Sequence, residues 1–201
     1  MQHADHKESE IKIKLEQAEG VYQKALAAGG EALGEEHEHD TMYTNETQDF
    51  ASYSKHAPKK VLRLRRTNTE SILTYKEKLD GPEHSHMLER REVELTVSNY
   101  ENMHAVLLGL GFKPYRVKEK IRRRVKLSGL ILEFDKLPFT GDYLEIEGEE
   151  VALKQVLQLL GLNMEQGINR DYTQLFYDYC QARGLDIEIQ QTFSEENKHL
   201  Q

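Results

Sequence analysis

Seven segments of the chain alternate charged and apolar residues with a period of two, and this alternation limits the possible fold more than any other feature of the sequence. It occurs in residues 8–15, 61–67, 71–78, 91–97, 117–126, 130–135 and 142–147. A period of two is typical of β-strands, because successive side chains of a strand point to opposite faces of the sheet. The chain therefore predicts an antiparallel sheet with one apolar face and one ionic face.

The predicted elements occur twice in the same order, β-α-β-β-β, once starting near Glu8 and once near Arg91. A short strand at residues 41–43 completes the first set, although the polar, turn-rich stretch 30–58 around it otherwise predicts a loop. Helices are predicted at residues 16–28, 98–109, 149–160 and 171–183, and an edge strand at 186–193. The duplication is one of pattern and not of residue identity.

The ionic face is divided by sign from strand to strand. Acids occupy it at Glu8, Glu10, Glu92, Glu94, Glu145 and Glu147, and bases at Arg63, Arg65, Lys76, Lys78 and along residues 118–124. A sheet with one solvated face is the simpler alternative, but such a face usually contains more Ser, Thr, Asn and Gln. A closed or nearly closed barrel would turn both signs into a wet interior, because buried charges without partners are costly. Helices would then cover its apolar outer face.

Both signs of charge suit one kind of ligand. Lysine and especially arginine bind phosphate oxygens, the latter through two parallel hydrogen bonds. Clustered carboxylates cannot contact phosphate directly, but they can hold Mg²⁺ or Mn²⁺, which bind carboxylate and phosphate oxygens together. Bases, acids and metal in one interior indicate a site that handles a nucleotide or another triphosphate.

Composition and motifs exclude several other classes. The 201 residues suit one large domain or two small ones, and the net charge of -8 disfavours a nucleic-acid partner. No apolar run approaches the roughly 20 residues of a membrane span, and the polar first residues contain no signal-peptide core. We therefore expect a cytoplasmic protein without a membrane partner. The sequence contains no GxxxxGK[ST] loop, so it is not a P-loop NTPase.

The motifs resemble those of the CYTH domains, the superfamily of class IV adenylyl cyclases, thiamine triphosphatases and inorganic triphosphatases. Glu8-x-Glu10-x-Lys12 resembles the ExExK signature that opens these domains. In the family's order there follow HDTMY at 39–43, LRLR at 62–65, LTYK at 73–76, REVE at 91–94, Lys120-x-Arg122, Asp135, EIE at 145–147 and DYTQL at 171–175. The resemblance covers residues 8–180, and the ordered series is more specific than ExExK alone.

This resemblance implies one α+β domain over residues 1–201, with a core at about 8–180 and a frayed tail at 194–201. Its fold would be an eight-stranded antiparallel β-barrel or tunnel with a charged lumen and with helices packed outside. By position, the metal-binding acids would be Glu8, Glu10, Glu145 and Glu147. The phosphate-binding bases would be Lys12, Arg63, Arg65, Lys76, Lys120, Arg122 and Arg124, although which of the last three contacts phosphate is left open. Glu92 and Glu94 would orient the bases or join the metal site.

The catalytic residues implied by the resemblance are Lys12, Asp135 and Glu147, with Asp135 accepting a proton or supporting the groups that touch the substrate. The duplicated arrangement, the GLGF turn and the DYTQL helix look most similar to the cyclase branch. We therefore expect a lyase that converts ATP to cyclic AMP and pyrophosphate with Mg²⁺ or Mn²⁺. An inorganic or thiamine triphosphatase and a non-catalytic module that binds nucleotide or polyphosphate stay open, as does a homodimer.

Several local features predict structure and not chemistry. Ser98 and Glu101 predict a capping box at the start of the second helix. His37 with His39, and His84 with His86, have the spacing of paired metal ligands, but without Cys partners we predict that they are solvated. Cys180, the single cysteine of the chain, predicts a buried packing thiol. Within RRR at 122–124, the alternation predicts that Arg123 lies on the outer face.

Overall fold

The computed structural model describes residues 6–45, 50, 59–78 and 87–194, with the backbone alone at 6–8 and 87–90. Its elements are β1 (His6–Leu15), α1 (Ala18–Ala27), β2 (Glu31–Thr44), β3 (Lys60–Arg66), β4 (Ser71–Lys78), β5 (Met87–Val97), α2 (Tyr100–Gly109), β6 (Lys113–Leu127), β7 (Leu130–Leu137), β8 (Gly141–Glu147), α3 (Glu150–Leu160), a short 3-10 helix (Met164–Gln166) and α4 (Tyr172–Arg183). The repeated order β-α-β-β-β is confirmed.

The eight strands form one antiparallel sheet in the order β1-β5-β4-β3-β2-β6-β7-β8, and β8 pairs with β1, which closes the sheet into a barrel. The strand β1 makes this closure by using its two halves differently. Its first half pairs with β5 up to Ile11, opposite Met87, and its second half pairs with β8 from Glu10 to Leu15. The predicted number and direction of the strands are confirmed.

The strand β2 is much longer than the sequence predicted. Residues 30–58 were expected to form a loop with a short strand at 41–43, whereas β2 extends over 14 residues and pairs with β6 from Glu31 opposite Lys126 to Thr44 opposite Lys113. The loop prediction is wrong for Glu31–Thr44. The Glu, His and Asp residues of β2 have low strand propensity, but the environment of a strand can override propensity. Here the basic strands β3 and β6 lie on both sides of β2 and pair with it.

Two smaller predictions are also corrected. The N-cap of α2 is Asn99 and not Ser98, and the Asn99 side chain accepts a hydrogen bond from the backbone N–H of Asn102 at 2.7 Å. The capping box with Glu101 is therefore wrong. The predicted edge strand at 186–193 is reduced to an isolated parallel bridge between Gln191 and Lys118.

The apolar outer face of the barrel is covered by helices, as predicted. The main core packs α1 and α3 against the outward side chains of β1, β6, β7 and β8. Helix α3 contributes Leu153, Val156, Leu157 and Leu160, and each buried side chain of this size contributes roughly 1.5–3 kcal/mol. The apolar positions of residues 149–160 predict that all of them pack against the sheet, and this prediction is wrong for Val151 and Leu159, which are exposed.

Helix α4 packs near the end of the barrel where Tyr143 lies on β8. Tyr172, in the first turn of α4, packs with Tyr143 and Leu137. Cys180, further along α4, is fully buried, and burial raises the pKa of its thiol, which confirms the packing prediction. No helix in the described part of the chain is both long and apolar enough to span a membrane.

Candidate functional site in the barrel lumen

The barrel encloses a cavity of about 870 Å³ whose lining is mostly charged. The alternation places one face of each strand here, and the structure brings together most of the site residues that the sequence predicted. These are Glu10, Lys12, Arg63, Arg65, Lys76, Glu92, Glu94, Lys120, Arg122, Arg124, Glu145 and Glu147. Asp135 is buried and does not line the cavity, and the side chain of Glu8 lies outside the described residues. The functions of these residues stay predictions.

Sequence analysis missed the acids of β2. Glu38 and Asp40 are buried within the barrel, between the basic strands β3 and β6. The signal was present in Glu36-x-Glu38-x-Asp40, which has the same period of two, but the loop prediction for this stretch hid it. The sign of the charges therefore alternates around this part of the barrel, and the bases of β3 and β6 share the acids of β2.

Asp40 is held mainly by Arg65. The Arg65 Nε and Nη2 atoms donate to the two Asp40 carboxylate oxygens at 2.7 and 2.9 Å. Burial by itself would raise the pKa of Asp40, but Arg65, Arg63 and Lys118 together hold it well below its ordinary value. Asp40 therefore stays ionised and neutralises part of the basic lumen.

Glu38 is shared by more bases. Its carboxylate lies 2.7 Å from Arg65 Nη1 and 3.3 Å from both Lys120 Nζ and Arg124 Nη2. Burial opposes ionisation, but Lys120, Arg122 and Arg65 lower the pKa of Glu38 to about 2. This buried carboxylate is therefore a permanent counter-charge within the barrel.

Arg122 is the most heavily paired base of the lumen. Its Nε and Nη2 atoms donate to the two oxygens of Asp135 at 2.5 Å, and Nη2 also donates to Glu145 Oε2 at 2.5 Å. A further ion pair joins it to Glu133. Asp135 also accepts a hydrogen bond from Lys120 Nζ at 3.0 Å. Asp135 thus orients two of the predicted phosphate-binding bases.

Lys12 links β1 to the same network. Its Nζ lies 2.9 Å from Glu145 Oε1 and 3.3 Å from Glu10 Oε1. Burial would raise the pKa of Glu145, but Lys12, Lys120 and Arg122 hold it well below the ordinary value. Lys12 therefore contacts an acid of its own motif on β1 and an acid of the neighbouring strand β8.

Tyr172 is a site residue that sequence analysis did not assign, although it lies within the DYTQL motif. Its ring centre lies 4.6 Å from Lys12 Nζ, 5.6 Å from Lys118 Nζ and 5.7 Å from Lys120 Nζ. Burial, together with Asp135 and Glu145, raises the pKa of its hydroxyl well above the ordinary value. The hydroxyl therefore keeps its proton, and it donates a hydrogen bond to Asp135 Oδ2 at 2.9 Å.

The wall formed by β3, β4 and β5 carries ion pairs of its own. Lys76 Nζ lies 2.6 Å from Glu92 Oε2, and Arg63 Nη2 donates to Glu94 Oε1 at 3.2 Å and to Thr74 Oγ1 at 2.9 Å. The pKa of Glu94 lies below its ordinary value despite burial, because Thr74 donates a hydrogen bond to it and bases surround it. These contacts favour the orienting role that the sequence allowed for Glu92 and Glu94.

The acids at the cavity fit a hard divalent cation in part. Glu10 and Glu147 are direct partners in the β1–β8 register, and both line the cavity with Glu145. Carboxylate oxygens are the ligands that Mg²⁺ and Mn²⁺ prefer. Within the described residues, however, no group of three or more His, Cys, Asp and Glu is arranged to hold a metal. Glu10 and Glu147 fit as ligands, whereas Glu145 faces Lys12 and Arg122.

The remaining predictions concern residues outside the lumen. His37 and His39 lie on the outer face of β2, not in a loop, and each side chain is exposed over a little less than half of its surface, with His39 Nδ1 3.4 Å from Glu119 Oε1. The prediction that they are solvated is confirmed, and His84 and His86 lie outside the described residues. Arg123 lies on the outer face, as predicted, with its guanidinium 4.0 Å from the ring centre of Tyr22.

Comparisons with known proteins agree with the resemblance. The family model of the CYTH domain matches residues 6–177. A protein of Methanocaldococcus jannaschii, provisionally named an adenylate cyclase, is 24% identical over 179 residues, which cover 84% of this chain and 97% of that protein.

Solved structures show the same fold. A conserved hypothetical protein from Pyrococcus furiosus is 27% identical with a TM-score of 0.67, and the match covers 82% of this chain and 97% of that one. A protein from Hippeastrum, described as an adenylyl cyclase homologue with a dominant triphosphatase activity, is 20% identical with a TM-score of 0.55. That match covers 77% of this chain and 88% of the other, and at this identity it supports the fold alone.

Proposed function

The chain belongs to the CYTH domain family, and on this premise we propose that it is a divalent-metal-dependent enzyme that acts on a triphosphate bound in the barrel lumen. One observation carries the proposal: Lys12, Arg63, Lys76 and Lys120 converge on one cavity of about 870 Å³ within the barrel. A cavity of this size accommodates a nucleotide. The acids that line the same cavity argue against a module that only binds phosphate, since phosphate binding needs bases alone.

The more specific activity that we propose is that of an adenylyl cyclase, which the provisionally named relative from M. jannaschii favours. In this reaction the ribose 3′-hydroxyl of ATP attacks the α-phosphorus, the bond to the bridging oxygen breaks, and pyrophosphate leaves. A triphosphatase is the second candidate, because the bases and acids that line the cavity suit the terminal phosphate of a triphosphate as well as its α-phosphate. There, water attacks the terminal phosphorus and orthophosphate leaves.

The residues of the chain would serve both reactions in the same way. Lys12, Arg63 and Lys76 hold the phosphate oxygens and neutralise the charge that develops on the transferring group. Asp135 keeps Arg122 and Lys120 oriented, through the contacts described above. The proton of the attacking hydroxyl or water passes to a carboxylate that lines the cavity and does not hold the ion.

Glu10 and Glu147 would hold a Mg²⁺ or Mn²⁺ ion, with Glu8 as a further candidate from the same motif. Such an ion, when bound, withdraws charge from the phosphate oxygens that it contacts. Lys12 lies 3.3 Å from Glu10 and would then bind phosphate beside the ion.

Product analysis tests the proposal and separates its two branches. The purified protein is incubated with ATP, inorganic triphosphate or thiamine triphosphate in Mg²⁺ and in Mn²⁺, and products are resolved by ³¹P NMR. Cyclic AMP with pyrophosphate establishes the cyclase, and orthophosphate without cyclic nucleotide establishes a triphosphatase. If none of the three substrates is turned over, the proposed activity is wrong.

The substitution Glu10→Gln tests the metal assignment. We expect the metal concentration at half-maximal rate to rise by at least ~10-fold. Even the loss of a residue that only hydrogen-bonds to a metal ligand lowers metal affinity by about this factor. Metal-independent binding of triphosphate should remain. The matched control is Glu119→Gln, which removes a carboxylate from the outer face beside His39 and should leave the metal dependence unchanged. Equal metal dependence in Glu10→Gln and the wild type would contradict the assignment.

A further inference from the structure

Lys118 occupies the lumen although neither the family motif nor the predicted phosphate-binding set includes it. It lies on β6, two residues before Lys120, and its side chain lines the same cavity. Its exposed fraction is 9%, so that it opens to the cavity and not to the outer solvent. Lys118 can therefore contact a triphosphate that is bound in the lumen.

Lys118 has less counter-charge than its neighbours. Among the described residues, its ion pairing consists of one long contact, 3.9 Å from Nζ to Asp40 Oδ2. That carboxylate is already engaged by Arg65 at 2.7 and 2.9 Å. Lys120, by comparison, lies 3.0 Å from Asp135 and 3.3 Å from Glu38.

The strand pairing explains this difference. The register of β6 with β7 begins at Ile121, opposite Lys136, so that β7 supplies no acid next to Lys118. In its place, the backbone of Gln191 bridges to this part of β6. Lys118 therefore faces an acid from the β2 side alone.

The groups that face Lys118 are mostly basic. They are Asp40 on β2, Arg63 and Arg65 on β3, Lys120 on β6 and the ring of Tyr172 on α4. Burial, with the repulsion from Lys120, Arg63 and Arg65, outweighs the attraction of Asp40 and lowers the pKa of Lys118 to about 8. This corner of the lumen is short of negative charge.

We propose that Lys118 is a further phosphate-binding residue, whose ammonium donates a hydrogen bond to the polyphosphate chain of the substrate. The inference rests on the proposed function and extends the binding set by one residue. A polyphosphate brings the negative charge that the corner lacks. Because it favours the charged form of Lys118, the fraction of Lys118 that is neutral takes up a proton from the buffer when the substrate binds.

Calorimetry with inorganic triphosphate in excess Mg²⁺ tests this inference on the full chain. Titrations at pH 8 in two buffers of different ionisation enthalpy give the number of protons taken up on binding. We expect the wild type to take up more protons than Lys118→Met, by a fraction of one proton per site. Subtracting the variant removes the contribution of the triphosphate itself. At pH 7 we expect the affinity of Lys118→Met to fall by ~10–100-fold, the range for a hydrogen bond between charged groups.

Two further variants make the result specific. Lys118→Arg keeps a charge that does not titrate near pH 8, and we expect it to bind triphosphate without the extra proton uptake. Lys126→Met removes an exposed lysine from the same strand and should behave as the wild type does.

The failures of the two proposals are distinguishable. If the wild type binds triphosphate and Lys118→Met matches it in affinity and in proton uptake, the inference is overturned and the proposed function stands. If the wild type binds no triphosphate, the proposed function is overturned, and the inference falls with it.

Discussion

Arg122 and Lys118 lie on the same strand, four residues apart, and both point into the lumen, yet their surroundings differ. Arg122 contacts the carboxylates of Asp135, Glu145 and Glu133. Lys118 has one acid at 3.9 Å and several basic neighbours. We infer two uses for these two charges: that of Arg122, which several acids hold, stabilises the barrel, and that of Lys118, which has one distant acid, is available to a ligand.

The pKa values of the two residues are shifted in opposite directions, in agreement with these surroundings. The acids around Arg122 raise the pKa of its guanidinium well above the ordinary value, although burial opposes this. Around Lys118, burial and basic neighbours lower the pKa to about 8. Folding therefore favours the charge of Arg122 and disfavours that of Lys118. Substitution of each residue by methionine, which keeps an unbranched side chain and removes the charge, separates the two uses.

The largest effect is expected for Arg122→Met. The substitution leaves Asp135 buried without its closest base and Glu145 without one of its bases, and breaking a buried ion pair from one side costs ~3–5 kcal/mol. The free energy of unfolding in urea should fall by this amount. Arg123→Met, which removes an outer arginine paired with the exposed Glu19, is the control and should cost less than ~1 kcal/mol. If both variants unfold at the same urea concentration as the wild type, Arg122 does not hold the barrel together.

For Lys118→Met we expect the free energy of unfolding to rise, in contrast to its fall in Arg122→Met. The ordinary lysine pKa of 10.5 falls to about 8 in the folded protein, so the unfolded chain binds more protons between these values and the free energy of unfolding rises with pH. At pH 7 the variant should therefore be more stable than the wild type by up to ~3 kcal/mol, since one pKa unit corresponds to ~1.4 kcal/mol. Above pH 8 the advantage should shrink.

Urea unfolding of both proteins from pH 7 to 10 measures this difference. The comparison within the pair cancels the contribution of the tyrosines, which titrate at higher pH. A variant that is less stable than the wild type at pH 7, with a difference that does not change with pH, would place Lys118 with the structural charges.

The smallest effect is expected for Tyr172→Phe. It removes the hydroxyl that donates to Asp135, but Arg122 and Lys120 still satisfy that carboxylate, so the cost should be ~1 kcal/mol. Tyr172→Leu also removes the ring beside Lys12, Lys118 and Lys120, and should weaken triphosphate binding more than Tyr172→Phe does. Calorimetry and urea unfolding of the two variants check this order. Equal binding by both would mean that the ring does not position the lysines.

The strand β2 is the part of the fold that its own residues predict least well. The acids Glu36, Glu38 and Asp40 have the same alternation as the other strands, but the polar stretch around them has low strand propensity and was predicted as a loop. Pairing along β6 overrides this propensity from Glu31 to Thr44. A strand stabilised by its neighbours in space carries little local signal.

The sequence by itself determined the repeated order of the elements, the antiparallel sheet and the charges that face inward. It could do so because a period of two assigns each residue to a face without reference to any other part of the chain. The position of Arg123 outside and of Arg122 inside follows from this rule alone.

Only the tertiary structure decided which inward charges are neutralised. Arg122 meets Asp135 because β7 runs beside it, and Lys118 meets no acid there because the β6–β7 pairing begins at Ile121. Tyr172 lies beside three lysines because α4 packs at the lumen. Along the chain, Tyr172 and Lys118 are more than 50 residues apart. Electrostatic energy depends on distances between residues far apart in sequence, and the alternation within one strand does not contain these distances.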